Sequence, residues 1–235
     1  MNLKNKNILI TGGTLGIGKE TAKILVEKGA NVLITGRNEE RIKNSLIYTK
    51  AKGLVFDVSK IDDIAVNTKK CLNLLNGSID VLINNAGTGV RKSIEELSID
   101  DFLTVYNTNV FGLALLSKEV VPVMKKKKEG NIINIGSTAS LKGYKTGSIY
   151  SSSKFALRSL TQCWQAELRP FNIRVTQVNP SEVTTAFGNP ERKEREEVHN
   201  KLTPKEIAHS IVSALEMDDR GFIPEFSVWA SNPFS

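Results

Sequence analysis

Short apolar runs alternate with longer amphipathic segments along almost the whole of this 235-residue chain. The apolar runs, such as KNILIT (residues 6–11) and NVLIT (31–35), are rich in β-branched residues and do not alternate with polar ones. Strands of this kind are buried on both faces, which requires a parallel sheet with helices on each side. No linker, repeat or low-complexity segment interrupts the pattern. The sequence therefore predicts one doubly wound α/β domain over residues 1–235.

The same pattern places the individual elements. Strands are expected at 6–11, 31–35, 54–56, 79–83, 131–135 and 173–178, with a last short strand beginning at 221–223. Helices are expected at 17–28, from Asn38 to about 46, from 59 or 60 to 75, at 148–169 and at 204–217. Another helix starts at 100 or 101 and either breaks near 111–112 or continues to 127. Ligands of doubly wound folds bind beyond the carboxyl ends of the strands, so the residues there are the candidates for a site.

Composition excludes several other classes of protein. Cys71 and Cys163 are too few for a disulfide-rich scaffold and too far apart for a CxxC motif. His199 and His209 have no cysteine near them, so we expect no metal site. No apolar run approaches the roughly 18 residues that cross a bilayer, and the N-terminal run is too short for a signal peptide. The net charge of +7 is typical of a mildly basic protein surface. We therefore expect a cytoplasmic protein that binds neither membrane nor nucleic acid.

The first two strand ends carry candidates for dinucleotide binding. TGGTLGIG (11–18) joins a strand to a helix, where glycines allow a tight turn and the helix N-terminus offers free N–H groups to a phosphate. Its spacing is neither G-x-G-x-x-G nor that of a P-loop. Arg37 follows the second strand, where the ribose of an adenosine lies in dinucleotide folds. An arginine without a carboxylate at this place favours a 2′-phosphate, and hence NADP(H) over NAD(H).

Later strand ends carry a candidate for proton transfer. Ser137 ends the fifth strand, and Tyr150 and Lys154 follow one helical turn apart on one helix face. An ammonium group near a phenol lowers the pKa of the phenol from about 10, so that it exchanges protons nearer neutral pH. Asp57-Val58 and Asn84-Asn85-Ala86-Gly87 end two other strands, where such residues also form ordinary turns.

Taken together, these residues resemble the short-chain dehydrogenase/reductase family, of the compact single-domain kind. The resemblance covers about residues 4–217 and rests on the order and spacing of TGGTLGIG, Asp57-Val58, NNAG (84–87), Asn109 in N-x-x-G, Ser137 and YSSSK (150–154). It implies seven parallel strands in the order 3-2-1-4-5-6-7. It also implies hydride transfer between NADP(H) and a carbonyl or alcohol substrate.

The resemblance implies a role for each matched residue. Tyr150 is the catalytic acid in reduction and the base in oxidation, and Lys154 binds the nicotinamide ribose and lowers the pKa of Tyr150. Ser137 orients the substrate oxygen, and Asn109 holds a water that links Lys154 to solvent. The implied cofactor-binding residues are Gly12, Thr14, Gly16, Ile17, Gly18, Arg37, Asp57, Val58, Asn84, Ala86, Gly87, Tyr150, Lys154, Pro180, Val183 and Thr185.

The sequence departs from the family pattern at three places. Gly136 stands where a second serine is frequent, and Ser181 replaces the glycine that follows Pro180, which requires a turn without positive φ. The tail from Gly221 lacks the Asp-Gly-Gly ending of fatty-acyl ketoreductases, which leaves a tetramer open. The homodimer usual in the family, formed through helices around 100–127 and 150–169, is expected.

Two other functions stay open, as does the substrate. One is a 3-oxoacyl reductase acting on a carrier protein or coenzyme A, for which Arg91, Lys92 and Lys125–Lys128 are candidate contacts. The other is a non-catalytic nucleotide-binding or sensor protein on the same fold. The segment at about 181–203 is expected to cover the substrate. The candidate aromatic walls of its pocket are Tyr144, Trp164, Phe187, Phe222, Phe226 and Trp229.

Overall fold

Seven parallel strands form one sheet in the computed structural model, which describes residues 1–189 and 191–233. Their order is β3-β2-β1-β4-β5-β6-β7, and each neighbouring pair is parallel. The strands are β1 (Asn7–Thr11), β2 (Asn31–Gly36), β3 (Lys52–Val55), β4 (Val81–Asn84), β5 (Gly130–Ile135), β6 (Ile173–Pro180) and β7 (Glu225–Val228). The predicted doubly wound fold and its strand order are confirmed.

Helices cover both faces of this sheet. They are α1 (Gly16–Glu27), α2 (Glu39–Thr49), α3 (Ile64–Leu74), α4 (Ile99–Tyr106), α5 (Leu113–Lys127), α6 (Ser148–Leu168) and α7 (Pro204–Glu216). The predicted caps form: the Asn38 side chain accepts from the N–H of Arg41, and Thr203 forms a capping box with Glu206. Among the described residues, no helix combines the length and hydropathy that a membrane span requires.

The core consists of two layers, one on each face of the sheet. Along β1, Ile8 and Ile10 pack with Leu25 of α1 and Ile211 of α7. Leu9, between them in sequence, packs on the opposite face with Leu116 of α5. Because successive strand residues point to opposite faces, an uninterrupted apolar strand feeds both layers. Each fully buried side chain of this size contributes about 1.5–3 kcal/mol of transfer free energy.

The long helix expected from residue 100 or 101 is interrupted by a π-helical turn. α4 ends at Tyr106, the π turn spans Asn107–Gly112, and α5 runs on to Lys127. Gly112 packs against the Val58 carbonyl: a Cβ on Gly112 would lie 1.9 Å from that oxygen. A π turn inserts an extra residue into a helix and is frequent at functional sites. Here it buries the side chain of Asn109, a residue of the expected catalytic set.

The last strand begins later than the sequence pattern indicated. β7 starts at Glu225, and residues 221–223 are not in a strand. The carbonyl oxygen of Ile223 accepts from the Thr176 hydroxyl, and that of Pro224 accepts from the N–H of Gln177. Proline has no N–H to donate, so the regular ladder with β6 begins only after it.

Candidate active site

A cavity of about 1510 Å³ opens at the carboxyl end of the sheet. It is lined by residues that follow β1, β2, β4, β5 and β6, together with Tyr150 and Lys154 from the first turns of α6. This is the edge at which doubly wound folds bind their ligands. The residues that follow the predicted strand ends therefore line one cavity.

The glycine-rich turn after β1 forms one wall of the cavity. Gly12 and Gly16 adopt positive φ values of 64° and 52°, which side chains other than glycine rarely tolerate. A Cβ on Gly18 would lie 2.5 Å from Asn85 Nδ2, so close packing excludes a larger residue there. α1 begins at Gly16, and Leu15 at the N-cap position contributes no side-chain hydrogen bond. The start of α1 is therefore a position for an anion, at which the Gly16 N–H donates to Glu194 Oε1 at 3.0 Å.

The two asparagines after β4 take different places. Asn84 is 2% exposed, and its Nδ2 donates to Ser117 Oγ at 3.1 Å and to Asn134 Oδ1 at 2.9 Å. It lies beneath the cavity and does not line it, contrary to the expectation that it lines the groove. Asn85 does line it, and its Nδ2 donates to two carbonyl oxygens of the glycine-rich turn at 2.9 and 3.0 Å. Of the two asparagines, the one not named in the sequence prediction, Asn85, is thus the one in the cavity wall.

Asn109 fixes the loop that follows NNAG. Its Oδ1 accepts from the N–H of Thr88 at 2.9 Å, and its Nδ2 donates to the Thr88 carbonyl at 2.9 Å and to Ser153 Oγ at 3.0 Å. Both amide hydrogens are therefore used within the protein. The side chain thus joins the loop to α6, one residue before Lys154.

Ser137, Tyr150 and Lys154 converge on one end of the cavity. The Ser137 hydroxyl favours the ionised form of the Tyr150 phenol, and the Tyr150 ring packs against that of Phe187, with centroids 5.4 Å apart. Lys154 Nζ lies 5.8 Å from the Tyr150 ring centroid and donates to the Ile135 carbonyl at 2.7 Å. β5, whose end carries Ser137, thereby holds the lysine beside the phenol.

Burial governs both ionisable groups of this cluster. It raises the pKa of Tyr150 to about 12, although the side chain of Ser137 acts in the opposite direction. It lowers the pKa of Lys154 to about 8. The expectation that Lys154 lowers the pKa of Tyr150 below its usual value is therefore wrong for the protein alone. At neutral pH the phenol is protonated and most of the lysine is charged.

Comparison with known proteins identifies the family. The family model described as short chain dehydrogenase matches residues 6–196. The chain belongs to this family. It is 30% identical to the dehydrogenase/reductase SDR family member 7B of Xenopus laevis over 246 aligned residues, covering 94% of this chain and 76% of that protein.

Two solved structures with a bound dinucleotide resemble this chain. An alcohol dehydrogenase from the archaeon Thermococcus sibiricus, complexed with 5-hydroxy-NADP, is 26% identical with a TM-score of 0.86 and covers 97% of both chains. A 3-ketoacyl-(acyl-carrier-protein) reductase from Brucella melitensis, complexed with NADH, has a TM-score of 0.87 over 99% of this chain and 100% of that one. At 24% identity, it shows the fold alone. As a short-chain dehydrogenase, the present chain is an oxidoreductase of alcohol or carbonyl groups that uses a nicotinamide dinucleotide.

The cavity fits such a cofactor at several points. The glycine-rich turn and the start of α1 suit a pyrophosphate. The hydroxyl of Thr35, beside them in the wall, is buried and has no hydrogen-bond partner among the described residues. Of the residues expected to contact the cofactor, the cavity is lined by Gly12, Thr14, Gly16, Ile17, Arg37, Asp57, Val58, Ala86, Gly87, Tyr150, Lys154, Pro180, Val183 and Thr185, while Gly18 and Asn84 lie behind its wall.

Both departures near the nicotinamide end of the family pattern have a physical reason. A Cβ on Gly136 would lie 2.3 Å from Asn179 Oδ1 and 2.9 Å from Gln177 Nε2, so these two side chains exclude a serine. Ser181 is not among the described residues with positive φ, and its N–H donates to the Val228 carbonyl at 2.9 Å. The turn after Pro180 therefore accepts a serine without strain.

Two further arginines lie near Arg37, and sequence analysis missed both. Arg41 and Arg192 line the same end of the cavity, and the charges of Arg37 and Arg41 add to burial in lowering the pKa of Arg192. Arg41 stands four residues after Arg37 at the start of α2, a spacing from which it could have been found. Arg192 comes from a distant loop and carried no such signal.

The segment at about 181–203, expected to cover the substrate, also contacts the end of the cavity formed by the glycine-rich turn and the start of α2. Arg195 donates to the carbonyl oxygens of Val183 at 2.7 Å and Thr185 at 3.3 Å. Arg41 donates to the Glu191 carbonyl at 3.1 Å, which ties the segment to α2. Of the six candidate aromatic walls, Tyr144, Phe187 and Trp229 line the cavity. Phe226 and Trp164 pack against the core, as was the favoured interpretation for Trp164, and Phe222 lies beneath the Arg169 guanidinium outside the cavity.

Proposed function

We propose that this protein is an NADPH-dependent carbonyl reductase, reversible as an alcohol dehydrogenase. The observation that carries the proposal is the cluster of Tyr150, Ser137 and Lys154 in the cavity wall beyond the glycine-rich turn. A buried phenol, a hydroxyl and an ammonium group in one wall are what proton transfer to a carbonyl oxygen requires. A sensor protein on this fold would not need them.

Each side chain has a distinct part in the proposed reaction. Tyr150 donates its proton to the substrate oxygen, and Ser137 donates a hydrogen bond to the same oxygen. The charged Lys154 stabilises the phenolate that remains and has N–H groups left for ribose hydroxyls, because the Ile135 carbonyl takes only one. Asn109 is a positioning residue, since its amide is committed to Thr88 and Ser153. The nicotinamide supplies the hydride.

The preference for NADPH rests on charge at the far end of the cavity. Arg37, Arg41 and Arg192 present three guanidinium groups at the place where the adenosine ribose binds in this fold. A 2′-phosphate relieves their mutual repulsion through charge-assisted hydrogen bonds. The 2′-hydroxyl of NADH offers no such charge, which favours the phosphorylated cofactor.

We also propose that the protein forms a homodimer through α4, α5 and α6. Apolar side chains on α4, on α6 and on the π turn before α5 are left in solvent: Ile99 is 70% exposed, Leu103 44%, Phe155 42% and Phe111 43%. Their burial against a second copy would remove a large apolar surface from water.

Thermal unfolding in the presence of NADPH or NADH tests the proposal without knowledge of the substrate. A ligand that binds only the folded state, at about 100 times its Kd, adds roughly 2.7 kcal/mol to the free energy of unfolding. We expect this stabilisation with NADPH and a much smaller one with NADH at equal concentration. Oxidation of NADPH in the presence of simple carbonyl compounds, followed at 340 nm, tests the catalytic part. Stabilisation without any turnover would favour the sensor alternative, and a larger effect of NADH would overturn the cofactor preference.

A further inference from the structure

One of two loops beside Tyr150 places the positively charged side chain of Arg91 in the cavity wall, and the proposed proton transfer does not involve this charge. Residues 89–91 and 141–144 line the cavity beside Tyr150, and the N–H of Lys92 donates to the Thr146 carbonyl at 3.2 Å, which holds the loops together. The Arg91 guanidinium lies over the Tyr144 ring, 5.6 Å from its centroid. The Tyr144 ring in turn packs against Gly147, where a Cβ would lie 2.6 Å from it. Arg91 is thus supported by a ring that is itself fixed.

Two adjacent basic residues, Lys92 and Arg91, differ in what they contact. Lys92 Nζ pairs with Asp101 Oδ2 at 2.8 Å. Arg91 takes part in no hydrogen bond or ion pair among the described residues, yet its charge acts on the Tyr150 phenol. Glu182, an acidic residue elsewhere in the wall, is already paired with Arg195 and Lys201. The charge of Arg91 is therefore available to a ligand.

Apart from Lys142, which also lines the cavity from the loop at 141–144, the side chains beside Arg91 in this wall are largely apolar. Leu141, Tyr144, Phe187 and Trp229 line the cavity and are each between about a third and two thirds exposed. A ligand that fills this space meets aromatic and aliphatic surface along its length. It meets the guanidinium group of Arg91 at one side.

We infer that the substrate is a carbonyl compound with a short apolar portion and an anionic group, a carboxylate or a phosphate, that Arg91 binds. The inference rests on the proposed carbonyl reduction and names the substrate class for it. Guanidinium groups pair with carboxylate and phosphate oxygens through two parallel hydrogen bonds. Bound in this way, the anion fixes the position of the carbonyl relative to Tyr150.

Paired substrates and matched variants test this inference. The wild type, Arg91→Gln, Arg91→Lys and Lys145→Gln are compared on a 3-keto carboxylate, its methyl ester and a ketone phosphate, with NADPH. Lys145 is exposed next to Tyr144, on the neighbouring loop, and does not line the cavity, so Lys145→Gln removes one charge without touching the site. We expect Arg91→Gln to lower kcat/KM about 10- to 100-fold for an anionic substrate, mainly through KM, with little change for the ester. Arg91→Lys restores part of the loss.

The outcomes separate this inference from the proposed function. The substrate that responds, carboxylate or phosphate, identifies the anion. Equal loss on the anion and the ester, or no loss on either anion, would overturn the role of Arg91 while reduction itself stands. Wild-type turnover of the ester alone would overturn the substrate class. No turnover of any carbonyl compound would count against the proposed function and, with it, against this inference.

A separate observation concerns Glu194, which occupies the anion position at the start of α1. Its Oε1 accepts from the N–H of Gly16 at 3.0 Å, and its Oε2 accepts from Lys19 Nζ at 3.2 Å. The chain on both sides of it is held by the contacts of Arg41 with Glu191 and of Arg195 with Val183. A carboxylate of the protein thus takes the N–H group that a pyrophosphate of the cofactor requires.

We propose that residues 191–195 form a strap over the start of α1, from which only the Glu194 side chain is displaced when the dinucleotide binds, while Arg192 stays beside Arg37 and Arg41. This too rests on the proposed cofactor. Because the carboxylate and the pyrophosphate compete for one helix end, the strap slows cofactor entry and weakens cofactor affinity. Its release also frees Lys19 for the incoming anion.

Binding measurements on Glu194→Ala, with Glu196→Ala as the exposed control, test the strap. We expect Glu194→Ala to lower the Kd for NADPH about three- to tenfold and to raise the association rate in stopped-flow fluorescence. Amide hydrogen exchange of Gly16 in the protein without cofactor should become faster, because its acceptor is lost. Unchanged or weaker binding by Glu194→Ala would overturn the strap alone. A wild type that binds neither NADPH nor NADH would overturn the cofactor assignment and the strap together.

Discussion

Tyr150→Phe is expected to lower kcat for carbonyl reduction by about 10²- to 10⁴-fold, the usual contribution of a positioned general acid. The substitution removes only the phenolic hydroxyl. The ring keeps its packing against Phe187, at a centroid distance of 5.4 Å, so the wall of the cavity stays in place. The Kd for NADPH, measured by calorimetry, should therefore change less than about twofold. Steady-state turnover, followed at 340 nm, should fall by the factor given above.

Tyr48→Phe provides the control for this variant. Tyr48 lies on α2, does not line the cavity, and donates its hydroxyl to Glu20 Oε2 at 3.2 Å. Loss of its hydroxyl should leave turnover close to that of the wild type. Comparable rates for Tyr150→Phe and the wild type on a good substrate would show that another group delivers the proton.

The protonation states of the cluster suit reduction. With a pKa of about 12, Tyr150 holds its proton throughout the neutral range, as a general acid must. With a pKa of about 8, Lys154 remains charged at neutral pH and stabilises the phenolate that forms once the proton has left. Burial thus keeps Tyr150 protonated before the reaction, and the charge of Lys154 stabilises the phenolate after proton transfer.

The fold could be predicted because its signal is repeated in every element. Uninterrupted apolar strands such as β1 and β5 have only one stable environment, a parallel sheet covered on both faces. The ends of a helix or strand cannot be predicted from the sequence pattern where tertiary contacts determine them. The π turn at Asn107–Gly112 depends on the contact of Gly112 with the Val58 carbonyl, and the start of β7 depends on hydrogen bonds of β6 that bypass Pro224.

The site could be predicted where its residues stand at strand ends or share a helix face. Ser137, Tyr150 and Lys154 were found in this way. Asn85 was missed because consecutive residues at a strand end point to opposite sides, and the pattern does not say which one faces the ligand. Burial raises the pKa of Tyr150, whereas the spacing of Tyr150 and Lys154 predicted that it is lowered. The spacing of residues along a helix does not show how deeply they are buried. Arg192 and Glu194 come from a loop that only the tertiary fold brings to the cavity.

Arg37→Ala is expected to reduce the preference for NADPH over NADH about 10- to 100-fold. A hydrogen bond to a charged group contributes about 1.5–3 kcal/mol, and Arg37 stands at the end of β2 where the 2′-phosphate would bind. The Kd for NADPH should rise by that factor, while the Kd for NADH changes little, because the lost guanidinium has no phosphate partner in NADH. Calorimetric titration with each cofactor measures both constants.

Lys43→Ala separates a local contact from a change in overall charge. Lys43 lies on α2 beyond the cavity and pairs with Glu39 at 2.8 Å, so its loss lowers the net charge equally without altering the site. We expect its cofactor preference to equal that of the wild type, and Arg37→Ala/Arg41→Ala to lose more preference than Arg37→Ala alone. If Arg37→Ala and Lys43→Ala weakened NADPH binding to the same extent, the effect would be long-range attraction of an anion, and Arg37 would not be a phosphate ligand. A loss confined to the arginines, and largest in the double variant, would instead assign the 2′-phosphate to this cluster, because only a direct contact distinguishes cations that contribute equal net charge.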